Sequence, residues 1–353
     1  MRIIELYSGI GGMHFAAKGS SLCDQTNVVL AIDINPVCND IYRHNFPHTN
    51  LINKNICSLT AADINYLLPD MILMSPSCQP FTRLGKQKDT SDTRNTSFLC
   101  FMKLLPYLTT VSYILIENVK GFETSETRDH LLDYLNQSNF FYEEYLINPR
   151  QFGICNSRLR YYLLGKKLSS QNVTRSSGII YNLPPNYERV IKNMIQKEIP
   201  KNLSTVVEHQ TYNNEWKLYL VPEKYLKKYF LIMDIVSCNS KNSCCFTKGY
   251  TRYIQGTGSV LSSVLQNDTE NIKKEFIHLV SNTNKIENNE ETLKLINKLN
   301  LRFFTPVEIS RLMMFPETFS FPEHITIKQR YKALSNSINV FVVSFLISYL
   351  VRD

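Results

Sequence analysis

No CxxC pair and no Cys/His cluster at zinc spacing occurs in this chain, so a structural zinc site has no ligand set to draw on and no metal is expected. The nine cysteines, Cys23, Cys38, Cys57, Cys78, Cys100, Cys155, Cys238, Cys244 and Cys245, are odd in number and irregular in spacing. That excludes a disulfide framework and reads as reduced thiols of an intracellular protein. Met1-Arg2 runs straight into Ile3-Ile4-Glu5-Leu6, so no signal peptide is expected. No apolar run is read as reaching the roughly 18 residues of a membrane helix, and none is expected. There is no internal repeat and no long glycine/arginine-rich arm to hold duplex DNA.

What is present is the composition of a globular protein: 353 residues, 43% hydrophobic and 20% charged. That length suits one large α/β domain with a smaller one. The net charge of +8 points towards a polyanionic partner, although a solvated basic surface accounts for it equally well. The excess is uneven. Residues 171–267 hold 12 Lys/Arg against 6 Asp/Glu.

The first 170 residues alternate short apolar runs with helical stretches. Runs at Arg2–Leu6, Val28–Ile32, Met71–Met74, Tyr113–Ile116, Glu143–Ile147 and Tyr161–Leu164 do not alternate with polar residues, the pattern of a buried, mostly parallel sheet with helices on both faces. Helices are expected at Met13–Lys18, at Val37–His44 behind Pro36, and near Ser97–Leu108. Residues 169–215 are rich in Asn, Ser and Pro and mark a boundary. Residues 267–300 read as surface helix plus loop, and an apolar helix over Ser337–Val351 ends the pattern. Residues 1–168 and 328–353 thus form one expected domain, and residues 169–327 a smaller, irregular one with its hinge.

Three strand ends carry chemistry. Ser8-Gly9-Ile10-Gly11-Gly12 turns the first strand into a helix, where glycine lets a ligand approach backbone N–H groups. Asp33 ends the second strand 21 positions later, near the roughly 20-residue spacing at which an acid meets a ribose hydroxyl. A tight turn with a capping Asp remains the plainer reading. The loop Ser75-Pro76-Ser77-Cys78-Gln79-Pro80 holds a thiol between prolines after the Met71–Met74 strand, where open α/β sheets place their reactive groups. Glu117, after Ile114-Leu115-Ile116, is a carboxyl whose burial should raise its pKa, suiting it to protonate a ring nitrogen, with Asn118 to fix its geometry. A thiol and a carboxyl at neighbouring strand ends, with no metal site, suit covalent attack on an electrophilic ring.

In this order, together with Arg158-Leu159-Arg160 and Ser335-Asn336-Ser337, these motifs make the chain resemble the C5-cytosine methyltransferases over nearly its whole length. Within that superfamily Cys78–Arg83, Glu117–Glu123 and Cys245-Phe246-Thr247-Lys248-Gly249-Tyr250 resemble the eukaryotic tRNA-aspartate cytosine-38 methyltransferases, once classed with the DNA enzymes. The resemblance implies a Rossmann-like methyltransferase domain with a target-recognition domain. It implies that Cys78 attacks C6 of cytosine, that Glu117 engages N3 and the exocyclic amine, and that Arg158 and Arg160 lie near the thiol and the pyrimidine carbonyl. S-adenosylmethionine would be lined by Ile10, Gly11 and Gly12, held at its ribose by Asp33, flanked at its adenine by Ile56 and Cys57, and enclosed by Ser75 and Ser337. The product would be S-adenosylhomocysteine.

The implied partner is tRNA, tRNA-Asp foremost, with weak DNA binding beside it. The protein is expected to be a monomer in the cytoplasm, with the nucleus as a second location. Lys248, Tyr250, Arg252 and Tyr253 are candidate RNA contacts because basic and aromatic residues alternate there. The alternatives are a DNA cytosine-C5 methyltransferase and a catalytically weak nucleic-acid binder. Two residues depart from the family pattern: Ser77 stands where most relatives have a second proline, and Ser335 where glycine is usual. If position 335 needs a positive φ, the serine is strained.

Overall fold

The computed structural model describes residues 1–76, 96–168, 178–184, 186–194, 198–208, 214–283 and 290–352. In chain order come β1 (Arg2–Leu6), α1 (Gly12–Gly19), β2 (Asn27–Ile32), α2 (Pro36–Asn45), β3 (Leu51–Ile52), α3 (Ala61–Tyr66) and β4 (Met71–Met74). The chain continues with α4 (Thr96–Met102), β5 (Tyr113–Val119), α5 (Glu126–Gln137), β6 (Phe140–Ile147), β7 (Arg160–Lys167) and β8 (Ile179–Ile180). These strands form one eight-stranded sheet in the order β3-β2-β1-β4-β5-β7-β6-β8. β7 alone runs antiparallel to its neighbours β5 and β6.

Alternate residues of each strand enter opposite layers, which is why these runs read as continuously apolar. Ile4, Leu6, Ile72, Ile114 and Ile116 pack with Phe98, Phe101, Leu131 and Leu135 on one face. Ile3, Met71, Leu73, Leu115 and Tyr162 pack on the other with α1 and the C-terminal helices. Asn35 caps α2 by accepting from the Val37 and Cys38 N–H groups, and Pro36 occupies its first turn, as its fixed φ favours.

Downstream come α6 (Tyr187–Lys192), α7 (Glu223–Tyr229), β9 (Ile235–Val236), β10 (Val260–Leu261), α8 (Gln266–Thr283), α9 (Glu290–Asn297) and β11 (Arg302–Phe303). The last three strands form a second sheet, β11-β10-β9. Arg302 and Glu308 make a fully buried two-bond pair beside it, at 2.6 and 2.8 Å. The chain ends in α10 (Pro306–Leu312), α11 (Ile327–Ser335) and α12 (Val340–Leu350).

Contrary to the sequence expectation, Ile327–Leu350 is long and apolar enough to cross a membrane by length and composition, but 89% of its most apolar window is buried inside the protein. It is core: α12 packs on α1 and β7, and Ser348 Oγ accepts from the Ser21 N–H at 2.8 Å. Ser335 closes α11 and is absent from the positive-φ positions, so the expected strain does not exist.

Candidate active site

The glycine turn opens a cleft lined by Ser8, Gly9, Ile10, Gly12, Ser75 and Ser337, among others. Gly11 caps α1 at φ 84°, a left-handed backbone that a side chain would strain, and a Cβ there would meet Phe46 at 2.6 Å. Asp33 Oδ2 accepts from the Gly9 N–H at 2.9 Å and Oδ1 from the Asn35 N–H at 2.8 Å. Burial raises the Asp33 pKa, while N–H groups of Asn35, Gly9 and Ile34 oppose the rise. The acid therefore fixes the turn from below with lone pairs to spare.

Ile56 is buried among Ile32 and Leu30. Cys57 is half-buried, with its N–H held by Asn55 and its thiol in contact with that of Cys100. Ser8 Oγ is buried at the cleft without a hydrogen-bond partner among the described residues. An open cleft, an orphaned hydroxyl and a glycine turn fit a nucleoside-linked amino acid such as S-adenosylmethionine; of the expected residues Ile10, Gly12, Ser75 and Ser337 line the cleft, whereas Gly11, Asp33, Ile56 and Cys57 are not in its lining. Tyr7, Cys38 and Ile338 also line the cleft and had no signal of their own in the sequence, while Asn336, also there, belongs to the C-terminal motif.

Glu117 lies within β5 rather than at its end, because the strand continues to Val119. It is 7% exposed, and Arg160 Nε stands 3.3 Å from its Oε1. β7 pairs Arg160 with Val119 and Tyr162 with Glu117, so the guanidinium reaches the carboxyl diagonally on one face of the sheet. Burial raises the Glu117 pKa above the usual range, and Arg160 and Arg158 pull it back.

The structure does not bring the Asn118 amide to Glu117. Adjacent strand residues point to opposite faces, and Asn118 Oδ1 instead accepts from the Val119 N–H at 2.9 Å. The Asn118 Nδ2 group is buried without an acceptor among the described residues.

Arg158 joins the two halves of the site. Its Nη2 donates to the Ser335 carbonyl at 3.3 Å and to the Ser337 carbonyl, at the cofactor cleft. Its Nη1 donates to Cys245 Sγ at 3.6 Å. Arg160 Nη2 approaches the same sulphur at 3.8 Å. Cys78, Ser77 and Gln79–Arg83 lie outside the described residues. Ser75, at the start of that loop, donates to the Tyr7 carbonyl at 3.4 Å. Among the described residues no group of three His, Cys, Asp or Glu side chains could hold a metal.

The alternating basic and aromatic stretch divides. Lys248 and Arg252 are exposed, and the Arg252 guanidinium lies 5.2 Å from the centre of the exposed Tyr253 ring. Tyr250, by contrast, is 4% exposed. It donates to the Ser259 carbonyl at 2.7 Å and accepts from the Phe304 N–H at 2.8 Å. It is a core residue and not an RNA contact, because its ring fills the space between Phe246, Phe303 and Tyr331.

The sequence profile of the C-5 cytosine-specific DNA methylases matches residues 1–352. The chain is 41% identical to the human protein named tRNA (cytosine(38)-C(5))-methyltransferase, across 99% of both chains. The crystal structure of a Spodoptera frugiperda DNMT2 mutant superposes with a TM-score of 0.84 at 41% identity, covering 99% of each chain. That of the Schizosaccharomyces pombe Dnmt2 methyltransferase gives 0.78 at 36%, covering 99% of this chain and 98% of that one. With a glycine-lined cofactor cleft tied through Arg158 to a buried carboxyl, and a profile match along almost its entire length, the chain belongs to the C-5 cytosine-specific DNA methylase family.

Proposed function

We propose that this chain methylates C5 of a cytosine in tRNA, at position 38 in the anticodon loop of tRNA-Asp, by way of a covalent bond between Cys78 and C6. S-adenosylmethionine supplies an electrophilic methyl group when bound. Attack of the Cys78 thiolate at C6 makes C5 nucleophilic. Glu117, whose pKa is raised by burial, keeps a proton for N3 and accepts from the exocyclic amine. Arg158 Nε, buried without an acceptor among the described residues, is a donor available to the pyrimidine carbonyl. Loss of the C5 proton and of the sulphur then releases the methylated base.

The observation that carries this reading is the position of Arg158, bonded to the Ser335 and Ser337 carbonyls at the cofactor cleft on one side and beside Glu117 and Cys245 on the other. The choice of RNA is supported by the names of the full-length relatives and by an anticodon loop that is already single-stranded, so the base need not leave a duplex. Residues 1–168 and 328–353 serve as the catalytic domain and residues 169–327 as the recognition domain, whose basic surplus faces phosphates.

Bisulfite sequencing of total tRNA with and without the protein tests position and activity together. A new protected cytosine at position 38 of tRNA-Asp, lost in Cys78→Ala, is expected. Equal labelling of duplex DNA, or full activity of Cys78→Ala, would overturn the proposal.

A further inference from the structure

β1 and β4 lie side by side in the sheet, so the residues that follow them leave it together: Leu6 pairs with Met74, and Tyr7 and Ser75 come next on the two strands. Tyr7 leaves β1 at φ 56°, a left-handed backbone that a residue with a side chain seldom adopts. Strain of this kind persists where the surroundings over-determine it. Here one peptide is gripped from both sides. The Tyr7 carbonyl accepts from Ser75 Oγ at 3.4 Å on the β4 side, and the next N–H, of Ser8, donates to the Ile32 carbonyl at 3.0 Å on the β2 side.

The side chain of the same residue reaches a second element. The Tyr7 hydroxyl lies 3.0 Å from Ser97 Oγ, in the first turn of α4. Burial pushes the Tyr7 phenol up, so it meets Ser97 as a neutral hydroxyl. The thiols of Cys57 and Cys100 stand beside this contact, where α4 docks on the turn Ile56–Ser58. Phe98, Phe101 and Met102, all buried, supply the apolar anchorage of α4. That packing holds the helix on the core. The hydroxyl pair fixes where its first turn sits, because a hydrogen bond is directional and apolar burial is not. Cys78 falls between Ser75 and Ser97 in the sequence, and Tyr7 itself lines the cofactor cleft.

We propose that Tyr7 is a positioning residue for methyl transfer: its carbonyl holds Ser75 and its hydroxyl holds Ser97, so that one residue at the cofactor cleft sets both ends of the segment that carries Cys78. The inference rests on the C5-methyltransferase reading of the same site, with Cys78 as nucleophile. It gives a part to a hydroxyl that the chemistry itself does not use. A phenylalanine at position 7 would keep a ring at the cleft and release Ser97. Thiol and methyl donor thus take their places from a common residue, and a small displacement of either reacting group is costly in rate.

The test compares Tyr7→Phe, Ser97→Ala, Ser97→Thr and the double variant Tyr7→Phe with Ser97→Ala for kcat and KM on tRNA, cofactor affinity and thermal stability. Tyr7→Phe and Ser97→Ala should each lower kcat on the order of tenfold, the effect of one hydrogen bond expressed at the reacting geometry, with KM and cofactor affinity within a few-fold. The double variant should be no slower than either single one, because both changes remove the same bond. Ser97→Thr, which restores the hydroxyl, should recover most of the loss. A merely structural bond would instead lower the melting temperature and leave the kcat of the folded enzyme as it was.

A second readout needs no substrate. The rate at which iodoacetamide alkylates Cys78, followed by peptide mass spectrometry, should change several-fold, in the same direction and by the same factor in Tyr7→Phe and Ser97→Ala. If it does so while the parent protein leaves tRNA unmethylated, the substrate reading fails and this inference stands. If the parent protein methylates tRNA and both single variants keep its kcat, if their losses add in the double variant, or if alkylation of Cys78 is unchanged in both, the inference is overturned.

Discussion

At Gly12 there is no room for a methyl group: a Cβ would lie 2.7 Å from Ile338 Cγ1 and 2.9 Å from Ser337 Oγ. The first helix and the connection between α11 and α12 meet there beside the cleft. Gly12→Ala is expected to cost about 1–3 kcal/mol of stability by overpacking and to weaken cofactor binding, measured by denaturant unfolding and calorimetry. Unchanged affinity would show that Ile338 yields. Ser335 behaves oppositely. Since it sits in a right-handed helical turn and donates to the Lys332 carbonyl at 2.9 Å, Ser335→Gly should destabilise by a few tenths to about 1 kcal/mol instead of relieving strain. At the chemical centre, Glu117→Gln keeps the shape of the carboxyl but not its proton. Its kcat should fall on the order of 10²- to 10⁴-fold, with cofactor binding retained.

Among the elements, β4 could be read to the residue because four apolar side chains, all buried, stand between polar neighbours. β5 could not. Glu117 and Asn118 look like a strand end, yet the ladder with β7 runs on through Val119. A strand that presents polar groups to a site loses the apolar signal where it matters most. The reversed direction of β7 left no trace either, since an apolar run has no sense of direction. The two-residue strands β3 and β8 are too short to show a period. Cys245 escaped for another reason. Its motif was legible, but its arginine neighbours lie 85 and 87 positions away, a proximity that only the fold creates. Beside the three-stranded sheet stands the Arg302–Glu308 pair, where Glu308 also caps α10 with Thr305. Glu308→Ala leaves a buried arginine alone and should cost about 3–5 kcal/mol in urea unfolding.

The whole molecule has a pH window built in beneath the cofactor turn. Tyr42 donates to Glu5 Oε2 at 2.9 Å and meets His14 Nδ1 at 2.8 Å, a buried chain linking β1, α2 and α1. Burial pushes the Glu5 carboxyl up to about 8 from 4.5 and the His14 imidazole down to about 3 from 6.5. The folded protein therefore holds the Glu5 proton after the unfolded chain has released it. That stabilisation is complete below about pH 4.5 and is lost as pH rises through 8. His14 acts in the other direction: its contribution is complete above pH 6.5 and is lost as pH falls towards 3. Glu5→Gln should gain stability relative to the parent protein as pH rises through this range, by denaturant midpoints at several pH values. Parallel curves would refute the assignment.

The bond from Ser21 to Ser348 spans 327 positions, and α12, which it anchors, covers one side of the first βα unit. During synthesis the glycine turn leaves the ribosome long before the helix it packs against. With that helix still missing, nascent chains expose an apolar sheet face, and the cofactor can be captured only once translation has reached the final turn. A ribosome stalled before residue 340 should carry a chain that binds chaperones and no methyl donor.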